Sequence, residues 1–137
     1  MTKIRLAALQ ALQQSPVPLN ATEVGQAMSV TCNQVTIYRT LTYLEQKKLV
    51  YSFLLFCPES RSERYWAFTQ AEGNHMVHHH WFHCQKCHTF IDLGRCPVEQ
   101  MVKSYEQKKN LKVTGHSFSL LGICSECSDR APNRIVP

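Results

Sequence analysis

The chain has 137 residues, a formal net charge of +5 and 44% hydrophobic residues. This length suits one domain or two small ones, and the composition excludes a disordered chain. No apolar run approaches the ~20 residues of a membrane span, and the start has no apolar signal core. We therefore expect a cytoplasmic protein with neither a membrane partner nor a small-molecule substrate, whose modest positive charge permits nucleic-acid binding.

Three helices are predicted in the first half. Residues 2–14 place apolar side chains at helical spacing and end before a Pro-rich stretch. Asn20, with Glu23 three residues later, resembles a helix N-cap and opens a short second helix. The third helix is predicted over residues 33–47, with an apolar stripe at Ile37, Leu41 and Leu44.

Two β-rich runs, residues 50–56 and 64–69, follow the helices and predict a hairpin. Three short helices and a hairpin form a winged helix, predicted here over residues 1–70, whose third helix enters the DNA major groove. The polar face of that helix suits either a solvated core helix or a DNA contact. Tyr38 and Arg39, on a face free of acidic residues, favour DNA. The predicted DNA-binding residues are Tyr38, Arg39, Thr36 and Gln34.

The second half predicts a hinge at residues 71–76 and a small domain at 77–137. A histidine-rich strand, a second strand at 89–93, a helix beginning near Pro97 and a long strand at 111–123 follow one another. The helix carries a core stripe at Val98, Val102 and Tyr105. The predicted fold class is therefore α+β, with a winged-helix domain followed by a small α/β domain.

Two Cys-x-x-Cys pairs carry the clearest chemistry in the second half. Four thiolates offered as two close pairs are the ligands of a tetrahedral structural zinc ion, and here they are Cys84, Cys87, Cys124 and Cys127. A redox dithiol and a rubredoxin-like iron site remain open, as does haem attachment through Cys84, Cys87 and His88. Cys32, Cys57 and Cys96 are interpreted as ordinary small apolar residues or caps. No zinc-hydrolase motif is present, so we do not expect an enzyme.

The motif around Val35–Leu41, the histidine run before Cys84, and the segment from His116 to Cys127 together resemble the ferric uptake regulator family. The resemblance covers almost the whole chain. It implies a homodimeric, metal-responsive repressor that binds a palindromic operator and controls metal uptake, and in which the second half is a zinc-stapled α/β dimerisation domain. Tyr38 and Arg39 would read the operator. The family's usual preceding helix is not in this sequence, so we expect one DNA contact fewer.

The resemblance also implies two further metal sites. One lies within the dimerisation domain, and its positions match His78, His80, Glu99 and His116. The other, a regulatory site between domains, keeps only His79 and Asp92. Its remaining positions fall on Pro18, Ala67 and Trp81.

Three imidazoles and a carboxylate suit several divalent metals, so the ligand set leaves the regulatory metal open between zinc and iron(II). A nickel- or peroxide-responsive regulator of the same family is an alternative. A redox or electron-transfer protein that uses the cysteines is an alternative from another class.

Overall fold

The computed structural model describes residues 1–56, 62–72 and 75–129, and for residues 72, 75 and 76 it describes the backbone alone. The chain divides into two compact units, Met1–His78 and His79–Pro137. Among the described residues, no helix is both long and apolar enough to cross a lipid bilayer. The prediction of an α+β fold is confirmed, since helices and sheets occur together in the chain.

The helices of the first unit begin where polar side chains cap them. In its described part these helices are α1 (Lys3–Gln14), α2 (Ala21–Ala27) and α3 (Gln34–Gln46). The predicted capping box is present, because the Glu23 backbone N–H donates to Asn20 Oδ1 at 2.8 Å and the Asn20 N–H donates to Glu23 Oε1 at 2.9 Å. Asn33 caps α3 by accepting from the Thr36 N–H at 2.9 Å.

A hairpin follows α3, made of β1 (Val50–Leu55) and β2 (Glu63–Phe68), with Val50 paired to Phe68. Cys57 lies outside the described residues. An isolated bridge from Leu19 to Trp66 attaches the hairpin to the segment before α2. The predicted apolar stripe of α3 packs with the other helices and the hairpin in one buried cluster: Ala8, Leu12, Ala21, Val24, Ile37, Leu41, Leu44, Val50 and Trp66.

The segment predicted as a hinge contains short paired strands. β3 (Gln70–Glu72) pairs antiparallel with β4 (His75–Val77). The two residues between them are Gly-Asn in the sequence, a composition typical of hairpin connections. The hinge itself stays a prediction.

In the described part of the second unit, one sheet has the strand order β6-β5-β7. β5 (His79–Cys84) runs antiparallel to β6 (Phe90–Arg95) and parallel to β7 (Ser119–Gly122). Parallel strands end at the same edge of a sheet. Because one Cys-x-x-Cys pair starts at the end of β5 and the other just after β7, this pairing brings both to one edge.

The helices of the second unit are α4 (Glu99–Lys109) and α5 (Ser125–Asp129), the latter not predicted. The long strand predicted over residues 111–123 is wrong, since only Ser119–Gly122 forms a strand. Asn110 ends α4 in a left-handed conformation (φ 54°). The Val113 N–H then donates to Glu106 Oε2 at 3.0 Å, a bond to a side chain rather than to a strand.

The predicted core stripe of α4 is not buried within the chain. No residue of α4 is buried, and Tyr105 is 52% exposed. The helix has the predicted apolar spacing but lacks a covering partner among the described residues.

Candidate metal centres and nucleic-acid interface

The four cysteines of the two pairs converge. Their Sγ atoms all lie within 4.8 Å of one another, and Cys87 Sγ is 3.7 Å from Cys124 Sγ. A tetrahedral zinc ion with bonds of about 2.3 Å to sulfur holds neighbouring sulfurs about 3.8 Å apart. Cys84, Cys124 and Cys127 are buried, whereas Cys87 is exposed. All six described cysteines carry free thiols, so the four sulfurs are available as ligands. The donor set and spacing therefore fit a structural zinc ion.

Backbone donors prepare Cys84 to be a thiolate. The N–H groups of Cys87 and Cys124 each lie 3.4 Å from its Sγ. Burial by itself raises the pKa of Cys84, but backbone hydrogen bonds from Cys124, Cys87 and Lys86 outweigh it and bring the pKa to about 5. Burial, followed by the neighbouring thiols, raises the pKa of Cys127 to about 12. A bound cation would remove these protons, since metal binding deprotonates a coordinating thiol.

A second cluster of donor atoms lies in the same unit. The donor atoms of His80, Cys96 and His116 lie within 4.8 Å of one another. His80 Nε2 and Cys96 Sγ are each 3.2 Å from His116 Nε2. Nitrogens on a tetrahedral zinc ion are about 3.3 Å apart, since zinc–nitrogen bonds are about 2.0–2.1 Å long. The structure thus brings His80 and His116 together, as predicted, and adds Cys96.

The other two residues of that predicted set are placed differently. His78 ends the first unit, and its role as a ligand stays a prediction. Glu99 lies in the first turn of α4, where Oε1 is 3.6 Å from Lys103 Nζ and both side chains are 59% exposed. The donor cluster contains Cys96 and does not contain Glu99. Cys96 was interpreted from sequence as a small apolar residue or cap, because it belongs to neither Cys-x-x-Cys pair.

His80 is buried and has a defined hydrogen bond. Its Nδ1 lies 2.8 Å from the carbonyl oxygen of Phe118. Burial lowers the pKa of His80 from its ordinary value of 6.5, opposed by the bond to Phe118 and assisted by repulsion from His116 and His79. The neutral imidazole is the form that binds metal.

The retained residues of the predicted regulatory site contact each other. His79 Nδ1 is 2.9 Å from the Asp92 carboxylate, across the β5–β6 pair. The positions that carry no ligand are filled by buried apolar side chains, since Pro18, Ala67 and Trp81 each pack inside their own unit. A metal at His79 and Asp92 therefore stays a prediction with two candidate ligands.

A further histidine pair adjoins the four cysteines. His83 is buried, and its Nε2 lies 3.4 Å from His88 Nδ1. Burial, followed by repulsion from His88, lowers the pKa of His83. Among the described residues, His83 Nδ1 has no hydrogen-bond partner.

The predicted DNA-binding residues lie on α3 and differ in exposure. Gln34, Tyr38 and Arg39 are exposed, and Thr36 is half-buried. The Tyr38 ring packs edge-on against Trp66, with centroids 5.8 Å apart. This contact holds one side of the Tyr38 ring against the hairpin. The four side chains share the N-terminal half of α3, the part that reaches base edges in helix-turn-helix proteins.

A second basic group lies near the other end of α3. The Arg5 guanidinium stacks over the Tyr43 ring at 3.6 Å from its centroid, and Lys47 Nζ lies 5.6 Å from the same centroid. Tyr43 is half-buried and packs against the core. Arg5 and Lys47 thus add positive charge that the sequence pattern of α3 alone did not indicate.

The profile of the Ferric uptake regulator family matches residues 1–121. A ferric uptake regulation protein from Legionella pneumophila is 30% identical over 138 residues, which cover 93% of this chain and 90% of that protein. The chain spans little more than half, 58% and 55%, of the two Campylobacter ferric uptake regulation proteins that it matches.

Two solved structures share the fold. The Helicobacter pylori ferric uptake regulator Fur, whose structure revealed three functional metal binding sites, is similar at a TM-score of 0.65 and 21% identity, over 91% of this chain and 82% of that one. A zinc uptake regulator complexed with zinc and DNA is similar at a TM-score of 0.66 and 16% identity, over 94% and 83%. With its motifs, its fold and the family match over residues 1–121 in agreement, the chain belongs to the ferric uptake regulator family.

Proposed function

We propose that this protein is a metal-responsive transcriptional repressor that binds double-stranded DNA as a homodimer and controls genes for metal uptake or homeostasis. It would act in the cytoplasm and carry out no catalysis. The observation that carries the proposal is the presence, in one unit, of two separate clusters of metal-binding donor atoms. One cluster suits a permanent structural ion and the other an exchangeable ion, which is the combination that a metal sensor needs.

The structural ion would be zinc, held by Cys84, Cys87, Cys124 and Cys127. The support is the spacing of the four sulfurs and the backbone N–H groups that favour a thiolate at Cys84. Zinc would join the end of β5 to the start of α5 and so stabilise a unit that has a small core.

The regulatory ion would be a second divalent metal, zinc or iron(II), bound around His80 and His116. His78 and Glu99 complete the set that the family resemblance implies. Because these ligands bind metal only when deprotonated, the affinity would fall as the pH drops below about 6.5. The lowered pKa of His80 favours its neutral ring, which is the form that binds metal.

The DNA-binding surface would be α3 of the winged helix, with Arg39, Tyr38, Thr36 and Gln34 in the major groove. Arg39 suits a guanine edge or a phosphate, and Gln34 suits an adenine. The exposure of Gln34, Tyr38 and Arg39 supports this assignment. A dimer would place two copies of α3 in successive major grooves about 34 Å apart, which requires a palindromic operator.

The homodimer would form through the second unit. Large apolar side chains remain exposed there on the sheet strands, on α4 and beside them: Ile91, Leu93, Met101, Tyr105, Leu111, Leu120, Leu121 and Ile123. So many apolar side chains on so small a unit favour an interaction surface. Their concentration in the unit that also holds both donor clusters supports a dimerisation domain.

Two alternatives have their own predictions. A nickel- or peroxide-responsive regulator would keep the DNA binding and change the effector. A redox or electron-transfer protein would use the four cysteines for iron, or attach haem through Cys84, Cys87 and His88. Rubredoxin-type iron and haem are coloured, whereas zinc is not, so a visible spectrum of the purified protein distinguishes them.

The experiment that tests the proposal is metal analysis of the purified protein, followed by selection of bound duplexes from a random DNA pool. We expect one tightly held zinc ion per chain and enrichment of a palindromic sequence only when a second metal is supplied. Failure to enrich any sequence with zinc, iron(II), nickel or manganese would contradict a DNA-binding regulator.

A further inference from the structure

We infer that Cys96 supplies a thiolate ligand to the metal site around His80 and His116, and that this site therefore takes a zinc-class ion. The inference rests on the proposed function, because it assigns a ligand and a metal class to the second metal site proposed there. It replaces Glu99, the fourth residue implied by the family resemblance, with a residue of different chemistry.

The three donor atoms have the spacing of ligands around one ion. His80 Nε2 and His116 Nε2 are 3.2 Å apart, close to the edge of about 3.3 Å between two nitrogens on a tetrahedral zinc ion. Cys96 Sγ is 3.2 Å from His116 Nε2, a few tenths of an ångström below the sulfur–nitrogen edge of about 3.6 Å. Small movements of exposed His116 would suffice to open that distance.

The hydrogen bonding of His80 directs its other nitrogen into the cluster. The Phe118 carbonyl oxygen, 2.8 Å from Nδ1, can only accept, so Nδ1 carries the proton and Nε2 presents its lone pair. A ring N–H donated to a backbone carbonyl is the usual support of a metal-binding histidine. The Phe118 ring also packs edge-on against the His80 ring, with centroids 5.4 Å apart, which fixes the ring plane.

A β-bulge in β6 places Cys96 on the same face of the sheet as His80. Trp81 pairs with Asp92 but His79 pairs with Arg95, so β6 has one extra residue between the two pairs. Gly94 provides it in the left-handed region (φ 86°), which glycine adopts without strain. Arg95 therefore shares the face of His79, and the next residue, Cys96, shares the face of His80. Without the bulge, Cys96 would be on the opposite face.

Glu99 has different surroundings. It follows Cys96 by three residues, in α4, and its carboxylate is solvent-exposed near Lys103. The donor cluster around His80 and His116 contains Cys96 and leaves Glu99 out. The backbone pairing of β5 with β6 therefore places the Cys96 thiol at the position where the family resemblance implies the Glu99 carboxylate.

A thiolate changes which metals the site prefers. Carboxylate ligands suit manganese and other hard ions, whereas thiolate and imidazole together suit zinc, which also lies above iron(II) and manganese in the general affinity order. Cobalt(II) takes the place of zinc in such sites and reports a thiolate ligand through its absorption.

The test uses the full chain loaded with one zinc ion and titrated anaerobically with cobalt(II). We expect a second equivalent to bind with a thiolate-to-cobalt charge-transfer band in the near ultraviolet, and zinc to displace it. Cys96→Ser should abolish that band and lower zinc affinity at least about tenfold, since even outer-shell changes cost about 10–100-fold. The matched control, Glu99→Gln, should preserve both.

The outcomes separate this inference from the proposed function. If Cys96→Ser, with an unchanged melting temperature, keeps the band and the zinc affinity, the inference is overturned while the histidine site stands. If Glu99→Gln alone causes the loss, Glu99 is the ligand and the inference is likewise overturned. If the parent takes up no second equivalent, the inference and the proposed second metal site fail together. A Cys96-dependent cobalt band in a protein that binds no DNA would support the inference and contradict the proposed function.

Discussion

Arg39 and Tyr38 are neighbours on α3 whose side chains have different surroundings. The Tyr38 ring packs against Trp66, whereas Arg39 is exposed. A ring fixed by the hairpin gives a positioned contact, and an exposed guanidinium gives a charged one that can adjust to the groove.

Arg39→Ala is expected to weaken binding to the selected duplex by about 1–3 kcal/mol, because it would remove the bidentate contact to a base or a phosphate that we propose for Arg39. Arg39→Lys is the control. It keeps the charge, so it should retain phosphate binding and lose base discrimination. Titrations by fluorescence anisotropy at one fixed salt concentration measure both. Parent-like affinity in Arg39→Ala would contradict the assignment of Arg39 to DNA readout.

Tyr65 in the hairpin provides a test of stability against pH. Burial, followed by the nearby Glu63 carboxylate, raises the pKa of Tyr65 from 10.0 to about 12. The unfolded chain therefore loses this proton first as the pH rises. Stability from Tyr65 is fully present below pH 10 and is lost between pH 10 and about 12. Urea unfolding at pH 9 and pH 11 should show a larger loss in the parent than in Tyr65→Phe. Equal losses in the two proteins would contradict the pKa assignment.

At the scale of elements, the α3 helix depends on its first turn. Asn33 accepts from the Thr36 N–H and so satisfies one of the backbone donors that a helix start leaves unpaired. The residues proposed to contact DNA occupy the turns directly after this cap.

Asn33→Ala should lower the free energy of unfolding by about 1 kcal/mol, because an alanine side chain cannot cap the helix. Asn33→Asp keeps an acceptor oxygen and should remain close to the parent. Urea denaturation followed by circular dichroism measures the difference. If both variants unfold together with the parent, the cap has no energetic role.

The sequence predicts elements well where the signals are local. Caps and apolar spacing place α1 and α3 within a residue or two of their ends in the structure. The strand over 111–123 is predicted too long, because alternation cannot reveal that Glu106 takes up the Val113 N–H. The stripe of α4 has the predicted apolar spacing. The sequence pattern of one chain cannot show whether a second chain covers that stripe.

The candidate metal ligands show the same difference between local sequence signals and long-range contacts. Short spacing identifies the four cysteines at once, and the family resemblance identifies His80 and His116. Cys96 was missed because its position depends on the bulge at Gly94 and on the pairing of β5 with β6. No spacing rule between residue 96 and residues 80 or 116 conveys that contact.

At the scale of the whole molecule, the described part of the second unit, residues 79–129, has a small core. Its buried cluster consists of Cys84, Cys124 and Cys127, with Phe82 packed against them. A domain with so few buried apolar side chains needs a metal or a partner chain to be stable.

Cys127→Ser should therefore remove one zinc ion per chain and lower the melting temperature of the protein. Cys32→Ser is the matched control, because Cys32 is half-buried in the first unit and outside both donor clusters. Metal analysis and thermal unfolding measure the two effects. Full zinc content in Cys127→Ser would contradict the four-cysteine site.

The central claim is that a second metal ion controls DNA binding. The most direct measurement is the affinity of the selected duplex for the chain with one zinc ion and for the chain with a second metal equivalent. Coupling free energies of about 1–3 kcal/mol predict a rise of about 5–150-fold with the second equivalent, and no rise in His116→Ala. Equal affinity with and without the second equivalent would contradict the account.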